Sequence, residues 1–247
     1  MDERVLESFK KDFLLIKSKG FVESHRTHNT GIGKTFEDLM DITENNSSLA
    51  DYKDVLEIKS KRELSKSMLT LFTKSPTNPP GANSHLRLQY GHSDANGKKI
   101  LHTTISATKF NTFFSETGFK LEVNEKEEKV FILVKDITTD KIIDQTIYYK
   151  FSDLKEIIET KCKHIAFINA ETKSESGKEH FFFKDATLLK DLTFEKFIQS
   201  IKDGLVVYDV RIGVYGTGKN KGKTHDHGSG FRVQKKNISK VFNVEDI

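Results

Sequence analysis

A strand-like segment of the sequence carries an acid and a base two residues apart, Glu57 and Lys59 in Leu56-Glu57-Ile58-Lys59. On a β-strand, residues at this spacing point to the same face, so a carboxylate lies beside an ammonium while Leu56 and Ile58 point into a core. A second carboxylate, Asp51, lies at the neighbouring strand end. Two carboxylates and an ammonium suit a hard divalent cation and an activated water, which together perform metal-assisted phosphodiester hydrolysis.

Glu-x-Lys alone is a weak signal, because alternating opposite charges on an exposed strand face produce the same pattern. Its context favours the catalytic interpretation, since an acid on a predicted helix, Glu37, precedes it, and a polar loop and a distant basic segment follow it. This order of features is typical of a nuclease. The lysine can then orient the attacking water or neutralise the charge that develops on the phosphate.

Residues 211–240 carry eight basic side chains against a single acid, Asp226, although the net charge of the whole chain is only +4. Basic side chains interleaved with glycine indicate a polyanionic partner such as DNA, and a lysine-rich solvated tail is the alternative. Arg211 and Arg232 can each donate two hydrogen bonds to guanine O6 and N7, and His225 and His227 can read base edges in the major groove.

Further contacts to DNA follow from the remaining polar residues. Asp209 can accept a hydrogen bond from cytosine N4. The His-Asp-His sequence at residues 225–227 also matches part of a zinc site, but no nearby cysteine or third ligand accompanies it. Contacts to phosphates, which position a protein without reading sequence, are predicted for Lys219, Lys221 and Lys223. Backbone or minor-groove contacts from the opposite side of the duplex, or else a surface loop fixed by prolines, are predicted for Lys74, Asn78, Asn83 and Arg87.

Two Gly-Lys-Thr sequences, beginning at Gly33 and Gly222, match the end of a nucleotide-binding loop. Such a loop needs an earlier glycine at a fixed spacing, so that its backbone can wrap around phosphates. His28 and Thr217 occupy these two positions. The first copy also follows a polar segment instead of a buried strand. The sequence therefore argues against NTP hydrolysis.

The composition predicts a folded cytoplasmic protein without membrane association. Charged residues make up 31% and apolar residues 36% of the 247 residues, which is typical of a well-solvated globular chain. The sequence lacks an apolar signal core and any run approaching about 18 apolar residues. The single cysteine, Cys162, excludes an intrachain disulfide and is predicted to be a buried, unreactive thiol.

Hydrophobic spacing predicts a mixed α/β chain. The length permits one large domain or two small ones over 1–247, with the candidate catalytic residues within about 21–75 and the candidate recognition residues within about 205–240. Helices are predicted over 5–16, 35–40, 153–160 and 194–201, with Gly20 and Gly204 as stops. Strands are predicted over 51–60, 68–72, 129–134, 142–149, 164–171 and 205–211, with a turn over 45–48 and a rigid loop over 75–83 that holds all three prolines.

Three segments resemble the MvaI/BcnI family of Type II restriction endonucleases: Gly31–Leu39 (GIGKTFEDL), Leu69–Pro79 (LTLFTKSPTNP) and Gly222–Gly228 (GKTHDHG). The resemblance implies a MutH-like PD-(D/E)xK fold, with a mixed sheet flanked by helices and two lobes that form a DNA-binding cleft. It also implies Mg²⁺ as cofactor, a monomer that needs no protein partner, and double-stranded DNA with a short pseudosymmetric site as substrate. A cognate DNA methyltransferase is the expected genetic companion. Similarity to the MvaI branch suggests CCWGG (W is A or T), and CCSGG (S is C or G) stays open.

By this resemblance, Asp51 and Glu57 are metal ligands and complete the catalytic set with Lys59, while Glu37 is the supporting acid on a helix. The family's base-reading positions fall on Asp209, Arg211, His225, His227 and Arg232. One departure concerns spacing, since Asp51 and Glu57 enclose five residues, one more than the family pattern. Either a bulge absorbs the extra residue or Asp54 is the functional carboxylate. Asp54 and Glu57 would face opposite ways on a straight strand, which favours Asp51.

Two rival functions remain at this point. One is a MutH-like strand-nicking repair endonuclease, which would need activation by partner proteins. The other is a sequence-specific DNA-binding protein on a catalytically dead nuclease fold. The intact Asp51, Glu57 and Lys59 argue against the second rival, because a binding module has no need for two carboxylates close to a phosphate.

Overall fold

The computed structural model describes residues 2–43, 48–65 and 67–247, so residues 45–47 of the predicted turn lie outside it. The structure is mixed α/β, as predicted. Within the described residues, no helix is both long enough and apolar enough to cross a lipid bilayer. A π-helical turn, Ile158–Cys162, and a 3₁₀ turn, Lys235–Asn237, accompany the helices. The helices are α1 (Glu3–Ser18), α2 (Gly31–Leu39), α3 (Ala82–Tyr90), α4 (Phe151–Ile157), α5 (Phe194–Lys202) and α6 (Ile238–Val241).

The strands form three sheets, and the chain divides into two compact units. In chain order the strands are β1 (Val22–Glu23), β2 (Glu57–Arg62), β3 (Leu69–Thr73), β4 (His92–Ser93), β5 (Lys99–Ile105), β6 (Thr117–Asn124), β7 (Lys129–Asp136), β8 (Ile142–Lys150), β9 (Ile165–Glu175), β10 (Lys178–Lys190), β11 (Val206–Val214), β12 (Thr224–Asp226), β13 (Gly230–Val233) and β14 (Asn243–Asp246).

The first unit comprises Met1–Ser67, Ile157–Thr193 and Ile238–Ile247. Its sheet has the order β1-β10-β9-β2, and β14 also pairs with β10. β2 runs parallel to β9, whereas the other pairs are antiparallel. Apolar residues at three- and four-residue spacings bury one face of α1 and one face of α2 in a core shared with the sheet. That core, which fixes β2 in place, includes Phe9, Phe13 and Ile16 of α1, Ile32 and Phe36 of α2, and Ile58, Ile168 and Phe183 of the strands.

The second unit comprises Met68–Glu156 and Phe194–Asn237. One sheet has the order β3-β13-β11-β5-β4, with β12 also paired to β11, and the other has the order β6-β7-β8. Aromatic rings fill the core around Phe231, whose centroid lies 5.2–5.4 Å from the rings of its neighbours. Such rings bury large apolar areas and fix strand positions closely. The neighbours are Phe72, Tyr149, Phe197 and Tyr208.

Several predicted elements are confirmed. The helix predicted over 5–16 is α1, and the helix predicted over 194–201 is α5. Residues 129–149 form the antiparallel β7–β8 hairpin. The helix predicted over 153–160 is α4, Phe151–Ile157, followed by the π-helical turn. No element was predicted for α3, β5, β6 or β10.

The strand predicted over 51–60 begins only at Glu57. Residues 51–56 instead form a turn, in which the Tyr52 N–H donates to the Leu56 carbonyl at 2.9 Å. Lys53 and Asp54 adopt left-handed φ values of 51° and 58°, which an extended strand cannot contain. The start of β2 is therefore a sharp reversal and not a continuous strand.

The helix predicted over 35–40 begins four residues earlier, at Gly31. Thr35 Oγ1 donates to the Gly31 carbonyl at 2.7 Å and accepts from the His25 N–H at 2.9 Å, which ties the first turn to the preceding loop. A Cβ at Gly31 would lie 2.3 Å from the Arg26 carbonyl oxygen, so the close packing of this loop requires glycine. Glycine is a poor helix former, which is why sequence propensity placed the start too late.

His164, just before β9, makes the stability of the first unit depend on pH. Its side chain is 5% exposed, and the Asp191 N–H donates to its ring Nδ1 at 3.5 Å. Burial lowers the pKa of His164 to about 4. The folded-state pKa thus lies below the unfolded value, so the unfolded chain takes up the proton more readily. The contribution of the neutral His164 to the free energy of unfolding is fully present above about pH 6.5. It decreases by about 3 kcal/mol as the pH falls towards 4.

We therefore expect the free energy of unfolding of His164→Gln to depend less on pH than that of the wild type between about pH 6.5 and 4. Urea denaturation followed by circular dichroism at several pH values measures this difference. His180→Gln, on a partly exposed histidine of the same unit, should keep the wild-type dependence. An unchanged slope in His164→Gln would contradict the assignment.

Candidate active site

Asp51 lies in the turn before β2, and its side chain folds back onto that strand. Its carboxylate Oδ2 accepts a hydrogen bond from the Ile58 N–H at 3.0 Å. The turn over 51–56 accommodates the extra residue between Asp51 and Glu57. Asp54 is exposed. Burial and Lys59 have the largest effects on the pKa of Glu57, and the negative charge of Asp51 has the next largest and raises that pKa. The structure therefore brings Asp51, and not Asp54, close to Glu57.

Glu57 and Lys59 are paired, as their spacing predicts, with the Lys59 ammonium donating to Glu57 Oε1. The Glu57 side chain is only 6% exposed. Burial raises the pKa of Glu57, and the Lys59 charge opposes this shift. Burial lowers the pKa of Lys59, but the carboxylates of Glu57 and Asp51 more than offset it, so this pKa is raised. Lys59 therefore keeps its charge at neutral pH, and this charge offsets part of the cost of burying the ionised Glu57 carboxylate.

The second carboxylate oxygen of Glu57, Oε2, is buried and has no hydrogen-bond partner among the described residues. Such an oxygen is costly unless a donor or a cation reaches it. With Asp51 it forms an all-oxygen pair, which fits a hard divalent cation. The described part of the chain contains no cluster of three or more His, Cys, Asp or Glu side chains placed to hold a metal. Water and phosphate oxygens would then complete the coordination of a cation at this pair.

The π-helical turn before β9 borders the same strand start, because the Glu57 N–H donates to the His164 carbonyl at 3.0 Å. Cys162, in this turn, is fully buried, and burial raises the pKa of its thiol to about 12. The thiol is therefore not ionised at neutral pH, in agreement with the predicted unreactive cysteine. The positive charge of Lys161 also acts on Glu57, as a smaller effect than burial and Lys59. No sequence motif signalled Lys161, because its proximity depends on the pairing of β2 with β9.

Glu37, on α2, lines a cavity of ≈330 Å³ together with Gly33, Lys34, Lys59 and Ser60. The structure thus brings the predicted helix acid and the predicted catalytic lysine to one cavity.

The loop before α2, which also lines this cavity, is held by Arg62. The Arg62 guanidinium makes two hydrogen bonds of 2.7 Å to the Glu179 carboxylate. It also donates to the carbonyls of His28 and Asn29 at 3.4 and 3.3 Å. A bidentate arginine–carboxylate pair of this kind fixes the orientation of the guanidinium as well as its distance from the carboxylate. Sequence reasoning missed Arg62, whose partner lies far away in the chain.

In the second unit, Asp209 joins two of the predicted base-reading arginines. Its Oδ2 lies 2.7 Å from Arg211 Nε and 3.1 Å from Arg232 Nε, and its Oδ1 accepts from Thr104 Oγ1 at 2.9 Å. The side chain of Arg211 is 44% exposed and that of Arg232 is 8% exposed. Arg232 also donates to Thr70 Oγ1 and to the Gly228 carbonyl at 2.5 and 2.8 Å. Arg211 therefore presents its outer nitrogens to solvent, whereas Arg232 is largely engaged inside the protein.

The predicted histidines lie in a row of rings on the same unit. Tyr215 stacks on His225 at 4.0 Å between centroids, His225 lies 4.2 Å from His227, and His227 lies 6.3 Å from His102. A Cβ at Gly213 would lie 3.0 Å from His227 Nε2, so glycine lets this ring approach the backbone of β11. Burial, followed by the neighbouring histidines, lowers the pKa of His227. His227 is therefore neutral at neutral pH, with one ring nitrogen as donor and the other as acceptor.

The predicted backbone contacts differ in exposure. Lys219, Lys221 and Lys223 are exposed. Lys74 is partly buried, and its carbonyl accepts hydrogen bonds from two tyrosine hydroxyls at 3.0 and 3.2 Å.

The other predicted contacts on this side are engaged within the second unit. Arg87 is 8% exposed, and its Nε donates to Thr224 Oγ1 at 3.0 Å. The amide of Asn83 donates to Asp226 at 2.9 Å, and that of Asn78 donates to a backbone carbonyl at 2.7 Å. Arg87 and Asn83 therefore support β12, the strand that contains His225.

The geometry of the first unit by itself defines a class of protein. Paired carboxylates and a lysine at the start of a β-strand, backed by helices on a mixed sheet, characterise nucleases with a PD-(D/E)xK-like core. The chain belongs to the MvaI/BcnI restriction endonuclease family, whose family model matches residues 10–242. It is accordingly a site-specific endonuclease, a hydrolase of phosphodiester bonds. Enzymes of this kind generally use divalent metals.

Two solved structures are similar over the full chain. The first, described as a restriction endonuclease MvaI–cognate DNA substrate complex, is 40% identical with a TM-score of 0.89, covering 100% of this chain and 99% of that chain. The second, restriction endonuclease MvaI in the absence of DNA, is 38% identical with a TM-score of 0.64, covering 100% and 98%. No curated protein matches the sequence significantly.

The placement of the two aspartates gives a test of the metal site. We expect Asp51→Asn to lower the cleavage rate at least about 100-fold, the scale of losing one catalytic group, because it removes a charge next to Glu57. The amide oxygen of the variant can still accept from the Ile58 N–H, which preserves the turn. Asp54→Asn is the matched control and should cleave at nearly the wild-type rate. Initial rates on supercoiled plasmid measure both, and a larger loss in Asp54→Asn would refute the assignment.

Proposed function

We propose that the protein is a Type II restriction endonuclease that uses Mg²⁺ to cut both strands of duplex DNA at CCWGG, leaving 5′-phosphate and 3′-hydroxyl ends. The buried, unpaired Oε2 of Glu57 beside Asp51 and Lys59 carries the catalytic part of this proposal. The similarity to MvaI supports the site. CCSGG is the alternative, because one or two side chains can choose the central base pair.

In the proposed reaction, Asp51 and Glu57 hold the cation. When bound, Mg²⁺ supplies Lewis acidity towards the scissile phosphate and the attacking water. Lys59 retains its proton, and its ammonium orients the water or neutralises the charge developing on the phosphate. The water loses a proton to solvent as its oxygen forms the new bond to phosphorus. The bond from phosphorus to the 3′ oxygen breaks, and this oxygen leaves and takes up a proton from solvent. Glu37, which lines the same cavity as Lys59, supports the set.

We propose that base reading is performed by Asp209, Arg211, His225, His227 and Arg232. Backbone or minor-groove contacts are assigned to Lys74, Asn78, Asn83, Arg87, Lys219, Lys221 and Lys223. The family resemblance favours a cytoplasmic monomer that needs no protein partner, with a DNA methyltransferase as its companion. The single two-lobed organisation, with catalytic elements at about 21–75 and recognition elements at about 205–240, stays a prediction.

Digestion of a fully sequenced plasmid tests the proposed function. We expect discrete fragments with Mg²⁺ and none with EDTA, and sequencing of the ends should place every cut within CCWGG. Fragments ending within CCSGG would instead select the alternative site. Nicks in one strand only, or cutting only with an added partner, would favour a MutH-like repair enzyme.

The control for this digestion is Glu57→Ala, which should bind the site and not cut it, with Glu57→Gln as a variant of similar size. Glu63→Ala, on an exposed acid just after β2, should cut normally. A wild-type protein that binds the site without cutting would support the dead-nuclease alternative.

Arg232→Ala tests the assignment of the buried arginine. If one of its remaining N–H groups reads a guanine, the substitution costs about 1–3 kcal/mol of discrimination at one position. Cleavage rates on the cognate site and on single-base variants measure this loss. Urea denaturation of the same variant separates a folding defect, since Asp209 loses one of its two cations. Affinity reduced equally on all sequences would make Arg232 a phosphate contact.

A further inference from the structure

His102 lies on the same sheet face as the predicted base-reading residues, although it is far from them in sequence. In the antiparallel pairing of β5 with β11, His102 is directly opposite Arg211, and Thr104 is opposite Asp209. Directly opposed residues of neighbouring strands point to the same side of a sheet. The pairing therefore adds a third histidine to the group formed by His225 and His227.

These side chains line a cavity of ≈450 Å³ that includes His102, Thr104, Asp209, Arg211 and His227. The lining is chemically mixed, because Arg211 only donates hydrogen bonds, Asp209 only accepts them, and a neutral histidine does both. A pocket for a phosphate would gain nothing from a carboxylate in its wall. The major-groove edge of a G·C pair presents both acceptors and a donor, so it matches this lining better.

Within the cavity, the groups differ in their remaining hydrogen-bonding capacity. The Thr104 hydroxyl donates to Asp209, and Asp209 Oδ2 already faces two guanidinium groups. His102 is exposed, and in the described part of the chain its ring makes no hydrogen bond or ion pair. Its ring nitrogens are therefore uncommitted polar atoms next to Arg211, and on the neighbouring strand they lie directly opposite that arginine.

We propose that His102 is a further specificity-determining residue, whose ring N–H donates to N7 of a guanine in the recognition site. This assignment rests on the proposed function, since it requires the second unit to read DNA bases. N7 is the acceptor that guanine presents at the open edge of the major groove, and a single imidazole N–H satisfies it. His102 and Arg211, side by side on two strands, would then contact neighbouring bases.

Site-specific removal of N7 tests this contact. Duplexes carry 7-deazaguanine in place of one guanine of the site at a time, and cleavage rates are compared for wild type, His102→Ala and His102→Gln. For the wild type, we expect one position to lose about 5- to 10-fold through the missing hydrogen bond. His102→Ala should lose a similar factor on unmodified DNA and show no further loss at that position. His102→Gln, which keeps an N–H donor, should recover part of the rate.

His92→Ala is the matched control, because His92 stacks on Phe114 at 3.7 Å and does not line this cavity. It should retain the wild-type response to every 7-deazaguanine. If His102→Ala responds to each analogue as the wild type does, the proposed contact is wrong, although wild-type cutting at the site would still support the proposed function. Absence of wild-type cutting on unmodified duplex would overturn the proposed function and, with it, the role of His102.

Discussion

A carboxylate buried at the first residue of β2 is the constraint on which the candidate active site depends. Removing a charge from water costs several kcal/mol, and one ammonium compensates only part of it when an oxygen remains unpaired. Leu56 and Ile58 are buried on either side of Glu57, and the pairing with β9 fixes its backbone, so the strand holds the carboxylate in a buried position. Replacing both Glu57 and Lys59 by apolar residues would often be neutral or stabilising, whereas removing Glu57 alone would leave the Lys59 ammonium without its partner. The chain thus holds Glu57 in a state that a bound cation relieves.

In the second unit, a single carboxylate lies beside two guanidinium groups. Asp209 neutralises two guanidinium groups at once, and only one of these, on Arg211, reaches solvent. Arg232 is largely buried beside Asp209, and its guanidinium is held in place by hydrogen bonds to Thr70 Oγ1 and the Gly228 carbonyl. A supported carboxylate then limits the orientations open to Arg211. An arginine held in this way loses less entropy when it binds a base edge than a free one would.

The features that could be predicted from the sequence are those that depend on residues close together in the chain. The apolar stripes of α1 and α5 and the Glu57–Lys59 pair depend on residues a few positions apart, and the structure contains each of them. α3 was missed because its first residues, Ala82 and Asn83, were assigned to the end of the proline loop. β10 was missed because a register shift at Phe183/Asp185 interrupts its alternation. Likewise, the turn after Asp51 depends on left-handed φ values at Lys53 and Asp54, and a single aspartate without glycine or proline is a weak turn signal.

The parts of both sites that sequence did not reveal come from long-range strand pairing. Arg62 meets Glu179 through the sheet of the first unit, Lys161 approaches Glu57 through the β2–β9 pair, and His102 faces Arg211 through the β5–β11 pair. Motifs identify residues that lie close together in the chain, whereas a sheet gathers residues from distant segments. Linear motifs therefore identify Glu57 and Arg211 but not their neighbours Lys161 and His102, and they identify neither partner of the Arg62–Glu179 pair.

The protonation state of His227 bears on how the second unit would distinguish bases from phosphates in the proposed function. Charged histidines in ring contact would repel one another, and burial and the neighbouring rings already lower the pKa of His227. A neutral imidazole adds no general attraction to the phosphate backbone, which every DNA sequence shares. It still offers a directional donor and acceptor. Exposed lysines such as Lys219 can supply sequence-independent affinity, so in the proposed function a neutral His227 beside one oriented arginine would leave the discrimination to hydrogen-bond geometry at the base edges.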